Sequence, residues 1–265
     1  MRSSIAIAFL VFSFSLIAQK NIEEYQGMGG FIASITETSY KQNESTVSDK
    51  VINQITFIND RPVRKDSKNL VGEIESQRFY TYEGRNLVKI KDVLIDGTLM
   101  KVTDYTYNDK GKLVFEKRYV PQFEITTTEA TSYNQLGKVS KLVFSNNGET
   151  VDEVRFEYNP NHVVIRKRYD PKSKLKSVKT IQYDDYEMLI LAEDVKFTGE
   201  NSFLDMKSLF EYDERGNLTK TTIGKLVEIR EYEYDQKGNW IKMIIYDQGK
   251  ASLMSIVERD ITYSK

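Results

Sequence analysis

Pairs of large apolar residues two positions apart recur along the chain, each followed by polar turn residues and a return to apolar character. The second member of the pair is aromatic, at Phe57, Tyr82, Tyr107, Tyr133, Tyr158, Tyr183, Tyr212, Tyr234 and Tyr263, with steps of 25, 25, 26, 25, 25, 29, 22 and 29 residues. The first member is Ile55, Tyr80, Tyr105, Phe156, Ile181, Phe210, Tyr232 or Ile261, Thr131 being the exception. A spacing of two places both side chains on one face of a β-strand. Asp, Asn or Glu follows the aromatic in most copies, and glycine stands four residues after it at Gly111, Gly137, Gly216 and Gly238. Asp and Asn can bond the backbone of a turn and glycine accepts positive φ, so this is a short hairpin loop. Leu113, Val139, Leu218 or Trp240 then begins a returning strand.

A second turn follows farther on, marked by Asp96-Gly97, Asn147-Gly148, Asp170-Pro171 and Gln248-Gly249. One unit is therefore two strands and two turns. The pattern predicts an all-β fold of consecutive antiparallel β-hairpin repeats, each about 25 residues long, with roughly 16 strands. Neighbouring strands rotate by about 20–25°, so a meander of this length forms a long curved or spiralling sheet or closes upon itself. Residues 19–50 carry no clear copy and form an N-terminal leading and capping segment, in which residues 32–40 supply a strand over the first edge. The repeat domain spans 51–265.

The chain opens with Arg2 and an apolar run from Ile5 to Ala18, interrupted only by Ser13 and Ser15. A cationic start, a short apolar core and a small residue before polar sequence are the pattern of a signal peptide, expected at 1–18 with cleavage after Ala18. The run falls short of the roughly 20 apolar residues of a membrane-spanning helix, and no membrane span is expected in the mature chain. Export to the periplasm or the extracellular space is the expectation. Without Arg2 the remaining chain has 37 basic and 39 acidic residues, a formal charge of −2. Such balance provides no field for nucleic acid. The chain has no cysteine, which excludes structural disulfides and lipidation of a cysteine after the leader.

The copies at 210–220 (FEYDERGNLTK) and 232–242 (YEYDQKGNWIK) resemble the YD repeats of the RHS family, whose units centre on Tyr-Asp-x-x-Gly-Asn/Arg-Leu. The resemblance covers roughly 55–263. It implies an exported Gram-negative protein whose hairpins spiral into a shell.

Candidate chemistry is sparse. His162 is the single histidine, so a multi-histidine site or a Cys/His zinc site is impossible. It occupies the glycine slot of its unit and is read as an exposed turn residue. Asp184, Asp213 and Asp235 recur at the turn slot, which assigns them to turn structure rather than to a glycosidase pair or a calcium loop. Lys141, Arg166, Lys220 and Lys242 each lie eight residues past a tyrosine and are read as flanks with solvated charge. Trp240 stands where other units have leucine, and is read as packing. Tyr80, Tyr82, Tyr105, Tyr107, Tyr232 and Tyr234 form the candidate ligand-binding stripe, which would be core if buried and a platform if exposed. No catalytic residue, metal or cofactor is expected.

The strands lack the uninterrupted lipid-facing alternation of an outer-membrane barrel. The expected function is a non-enzymatic envelope or extracellular protein offering a binding or scaffold surface. The alternative is a carbohydrate- or peptide-binding protein using the stripe. An envelope glycan or another exported protein is the expected partner.

Overall fold

The computed structural model of the protein describes Met28 and residues 30–43, 46–198, 201–247 and 252–264. The leader at 1–18 lies outside the described residues. Eighteen strands account for most of the rest. They are β1 (Ile32–Asn43), β2 (Thr46–Ile58), β3 (Arg61–Lys68), β4 (Ile74–Glu83), β5 (Asn86–Leu94) and β6 (Leu99–Tyr107). Next come β7 (Leu113–Val120), β8 (Ile125–Tyr133), β9 (Val139–Asn146), β10 (Glu149–Asn159), β11 (Val163–Tyr169) and β12 (Leu175–Tyr183). The last are β13 (Leu189–Thr198), β14 (Asn201–Tyr212), β15 (Leu218–Ile223), β16 (Leu226–Tyr234), β17 (Trp240–Asp247) and β18 (Ser252–Tyr263). A single 3₁₀ turn, Pro121–Phe123, links β7 to β8.

Every strand pairs antiparallel with its neighbours in sequence, and β1 pairs with both β2 and β18. Ile35 faces Ile55 on one side and Ile261 on the other. The sheet is therefore a closed barrel. This corrects the expectation of a curved or spiralling sheet and, with it, the resemblance to the YD repeats of the RHS family. A spiral needs two free edges, and this ring leaves none. The segment expected to cap the first edge is a wall strand that joins the first hairpin to the last.

Residues sharing a face follow from the register. Arg78, Tyr80 and Tyr82 of β4 pair with Asp92, Ile90 and Leu87 of β5. Asp92 and Ile90 are flanked on their other side by Lys101 and Thr103 of β6. Both cavities described below open on this tyrosine-bearing face, which makes it the inner wall. Its turn end is apolar. Leu87, Ile90 and Tyr105 form one buried cluster, and Ile32, Ile35, Ile55 and Phe57 another at the seam. Farther along the strands the inner wall carries ion pairs, among them Arg78–Asp92 at 2.6 Å and Arg259–Glu37 at 3.1 Å across the seam. The outward face is ionic too, with Lys89–Asp104, Lys207–Glu193 and Lys220–Glu211 pairs.

Each hairpin is tied to the one before it through the central tyrosine. Tyr82, Tyr107, Tyr133 and Tyr158 donate their hydroxyls to the carbonyls of Pro62, Leu87, Leu113 and Val139 at 2.7–2.9 Å. Tyr212 does the same to Leu189, while Tyr234 donates to the Asp213 carboxylate. Tyr183 alone of this row makes no hydroxyl hydrogen bond among the described residues. Tyr133→Phe is expected to lower stability by about 1 kcal/mol, since it leaves the Leu113 carbonyl without its donor. Tyr183→Phe is expected to be nearly neutral. Urea unfolding of the two variants checks the contrast, which fails if both lose stability equally.

Candidate functional site

The turns after the tyrosines are built by one device. In the turn after Tyr212, the Asp213 carboxylate accepts from the Arg215 and Asn217 amides at 2.9 and 2.8 Å. Asn108, Asn134, Asp184 and Asp235 repeat this. The turn carboxylates thus carry structure. A register shift accompanies the device. Seven of the eight tyrosine-turn hairpins have a bulge next to the aromatic residue, as between Glu211 and Tyr212.

The eighth hairpin, β10–β11, has no bulge. Its turn, Asn159-Pro160-Asn161-His162, lacks the glycine, and Tyr158 pairs directly with Val164, Phe156 with Arg166. Because strand side chains alternate with a period of two, losing one residue of shift turns a strand over. Lys141, Lys220 and Lys242 therefore point outward, pairing in register with Ser132, Glu211 and Glu233. Arg166 occupies the same sequence slot and points inward. This corrects the reading of Arg166 as a solvated flank, while the other three face outward.

Arg166 lies in a cavity of about 500 Å³ on the inner wall of β7–β12. Leu142, Val164 and Ile181 provide apolar surface, and Tyr133, Tyr158 and Tyr183 provide rings. The guanidinium sits 5.3 Å from the centre of the Phe156 ring. The other inward arginines of the strands have carboxylate partners: Arg78–Asp92, Arg118–Glu116, Arg168–Asp152, Arg230–Glu228 and Arg259–Glu37. Arg166 has no ion pair and no hydrogen bond among the described residues. Its register neighbour on β12 is Lys179, a second inward cation for which no ion pair occurs among the described residues. Burial pulls the Arg166 guanidinium below the usual arginine range. Lys179 is lowered by burial and then by the charge of Arg166. Glu129 and Asp194 act on Arg166 only through space.

Two turn residues complete the rim. His162 and Glu187 occupy glycine slots with φ of 59° and 63°, where Gly111, Gly137, Gly216 and Gly238 stand in sibling turns. A side chain in this left-handed region is strained by roughly 1–2 kcal/mol. Both strained side chains line the cavity, and the His162 imidazole is 3.9 Å from Asp185. His162, read as an exposed turn residue, is exposed in its turn and also lines the mouth of this cavity. Glu187→Gly is expected to raise stability by about 1 kcal/mol by releasing the strain. Chemical denaturation measures this, and an unchanged or lowered midpoint would show that the rim conformation is unstrained.

The stripe tyrosines are placed elsewhere. Tyr80, Tyr82 and Tyr107 pack around the buried Tyr105 cluster, and Tyr105 is 8% exposed. Tyr232 and Tyr234 lie together with ring centres 6.2 Å apart, Tyr232 donating to the Leu218 carbonyl at 2.9 Å. The six do not line either cavity. Trp240 packs edge-on against Tyr232, at 6.1 Å, and under the Arg259 guanidinium. A second cavity, about 730 Å³, lies beside the 3₁₀ turn, where Arg78 and Lys101 share the Asp92 carboxylate at 2.6 and 3.1 Å. Among the described residues no three His, Asp or Glu side chains converge as a metal-ligand set.

One buried acid on the inner wall is titratable. Burial outweighs the Arg118 guanidinium and, with the charge of neighbouring Glu129, pushes Glu116 up to about 7. A carboxyl raised in the folded state takes up its proton there before the unfolded chain does. Stability from this group therefore grows as pH falls from about 7 toward the ordinary 4.5. The gain is on the order of 1–3 kcal/mol. Glu116→Gln is expected to remove that increment from a stability–pH profile; parallel profiles for the two proteins would contradict the assignment.

No protein-family model matches the chain, and no curated protein matches it. Similar solved structures include a porin-like protein from Bacteroides uniformis, 12% identical, covering 87% of this chain and 96% of that one with a TM-score of 0.47. A porin-like protein from Bacteroides vulgatus is 9% identical over 89% and 99% of the two chains, with a TM-score of 0.36. A TcdB2–TccC3–Cdc42 structure is 14% identical over 82% of this chain and 14% of that one, with a TM-score of 0.33. The architecture is defined by the chain's own strand pairing: a closed, antiparallel, 18-stranded β-barrel.

Proposed function

We propose that this is an exported, non-enzymatic barrel of the cell envelope that works by binding a small molecule on its inner wall. The observation that supports the reading is the cavity of β7–β12, where the regular wall is interrupted and a guanidinium without a contact partner is turned inward. The apolar run at 5–18 supports export. The stripe tyrosines are assigned to the wall, because their rings pack together and four of their hydroxyls bond neighbouring hairpins.

A porin-like placement across the outer membrane is the second reading. Ring closure favours it, because strands in hydrocarbon must leave no unpaired edge. The distribution of charge opposes it. Both faces carry ions well inside the strands, inward at Arg78 and Asp92 and outward at Lys207 and Glu193. A lysine or arginine at mid-membrane on a lipid-facing surface costs about 2–4 kcal/mol. No helix among the described residues is long and apolar enough to cross a membrane, which says nothing of a barrel.

Cell fractionation separates these readings. The chain is expected with the envelope and is expected to be released by salt or alkaline wash without detergent. Release only by detergent would put the membrane-crossing reading in its place, and recovery in the cytoplasm would remove both.

A further inference from the structure

We propose that the β7–β12 cavity is a binding site for a small organic carboxylate with a flat apolar body, the carboxylate seated on Arg166. This rests on the inner-wall reading above and specifies the ligand.

Four departures from the regular wall meet in this one place. The bulge is missing from β10–β11, which turns Arg166 inward. No carboxylate pairs with that guanidinium, although the other inward arginines of the strands have theirs. The Tyr183 hydroxyl is left without the carbonyl that its counterparts bond. Two glycine slots are filled by His162 and Glu187 in strained conformations, and both reach the cavity mouth. Any one of these could arise by drift. Together they give up several favourable interactions around a single concavity.

The chemistry of the ligand follows from what is missing. Buried charges in proteins are ordinarily paired in contact, and here Glu129 and Asp194 act on the guanidinium only from a distance. Lys179 beside Arg166 has Asp194 as its own register neighbour on the far side. A guanidinium presents parallel donors that match a carboxylate, so a ligand acid would take the position that Asp92 has beside Arg78. Tyr183, whose charge interaction is with Arg166, provides a hydroxyl donor for the same group. The rest of the ligand meets Phe156, Leu142, Val164 and Ile181, surfaces suited to a ring or short alkyl chain. A volume of about 500 Å³ lies within the usual range of small-molecule sites. Glu187 at the mouth repels an anion that would bind reversed, so the acid goes in first.

The test uses the mature full-length protein with 3-phenylpropionate and its neutral isostere 3-phenylpropionamide, followed by calorimetry and by NMR of the tyrosine rings. The carboxylate is expected to bind about tenfold more tightly than the amide. Arg166→Gln is expected to remove that preference, leaving amide affinity unchanged, and to fold at least as stably because a buried guanidinium without a contact partner is gone. Tyr183→Phe is expected to weaken the carboxylate several-fold. Lys141→Gln, at the same slot of a bulged hairpin but outward, should change nothing. Equal affinity for acid and amide would overturn carboxylate recognition and leave the inner-wall reading standing. Binding of neither probe at millimolar concentration would overturn both. A loss at Lys141→Gln matching that at Arg166→Gln would reduce the effect to general charge and also overturn the assignment.

Discussion

The wall of this barrel depends on a tyrosine hydroxyl reaching about twenty residues back along the chain to a main-chain carbonyl of the preceding hairpin. That carbonyl belongs to the residue that starts the returning strand, where the bulge leaves a ladder position open. A hydroxyl placed there satisfies a polar group that a sheet would otherwise leave half-paired. The ring of the same tyrosine covers apolar neighbours, so one side chain serves packing and hydrogen bonding together. At Tyr234 and Tyr263 the acceptor becomes the turn carboxylate, Asp213 or Asp235, with Asn217 or Asn239 donating to the hydroxyl. The side chains of these links come from the turns of the two most regular copies, 210–220 and 232–242.

This explains what could be read from the sequence. The 25-residue spacing, the alternation at the aromatic pairs and the Asx-glycine turns are local, and each translates into a hairpin without knowledge of the rest. Ring closure is not local. It depends on β1 matching β18 in register, and the 32–43 segment carries no aromatic pair to announce it. Strand twist permits a spiral and a barrel alike, and only the total of many small rotations decides between them.

The cavity was hidden for a related reason. Arg166 shares its offset from the tyrosine with Lys141, Lys220 and Lys242, so counting residues places all four alike. The difference lies in the turn Asn159-Pro160-Asn161-His162, beyond which the two strands pair without the bulge. A single change of turn geometry reverses the inside and outside of the strand that follows. The informative signal was the lost glycine at 162 and 187, which looked like wear in a degenerate pattern and instead marks the rim of the cavity that contains Arg166.

Closure at the β1–β18 seam also orders events in time. Glu37 and Arg259, partners in the finished wall, are separated by 222 residues, and almost every other strand pairing is between immediate neighbours. Hairpins can zip one after another as the polypeptide emerges on the far side of a membrane, each supported by the last. The β1 strand must meanwhile hold an unpaired rim of amides and carbonyls until β18 arrives. A chain delivered amino terminus first thus carries its most adhesive edge throughout its passage and sheathes it at the final step, so any stall late in transport leaves a long, nearly complete sheet open to other chains.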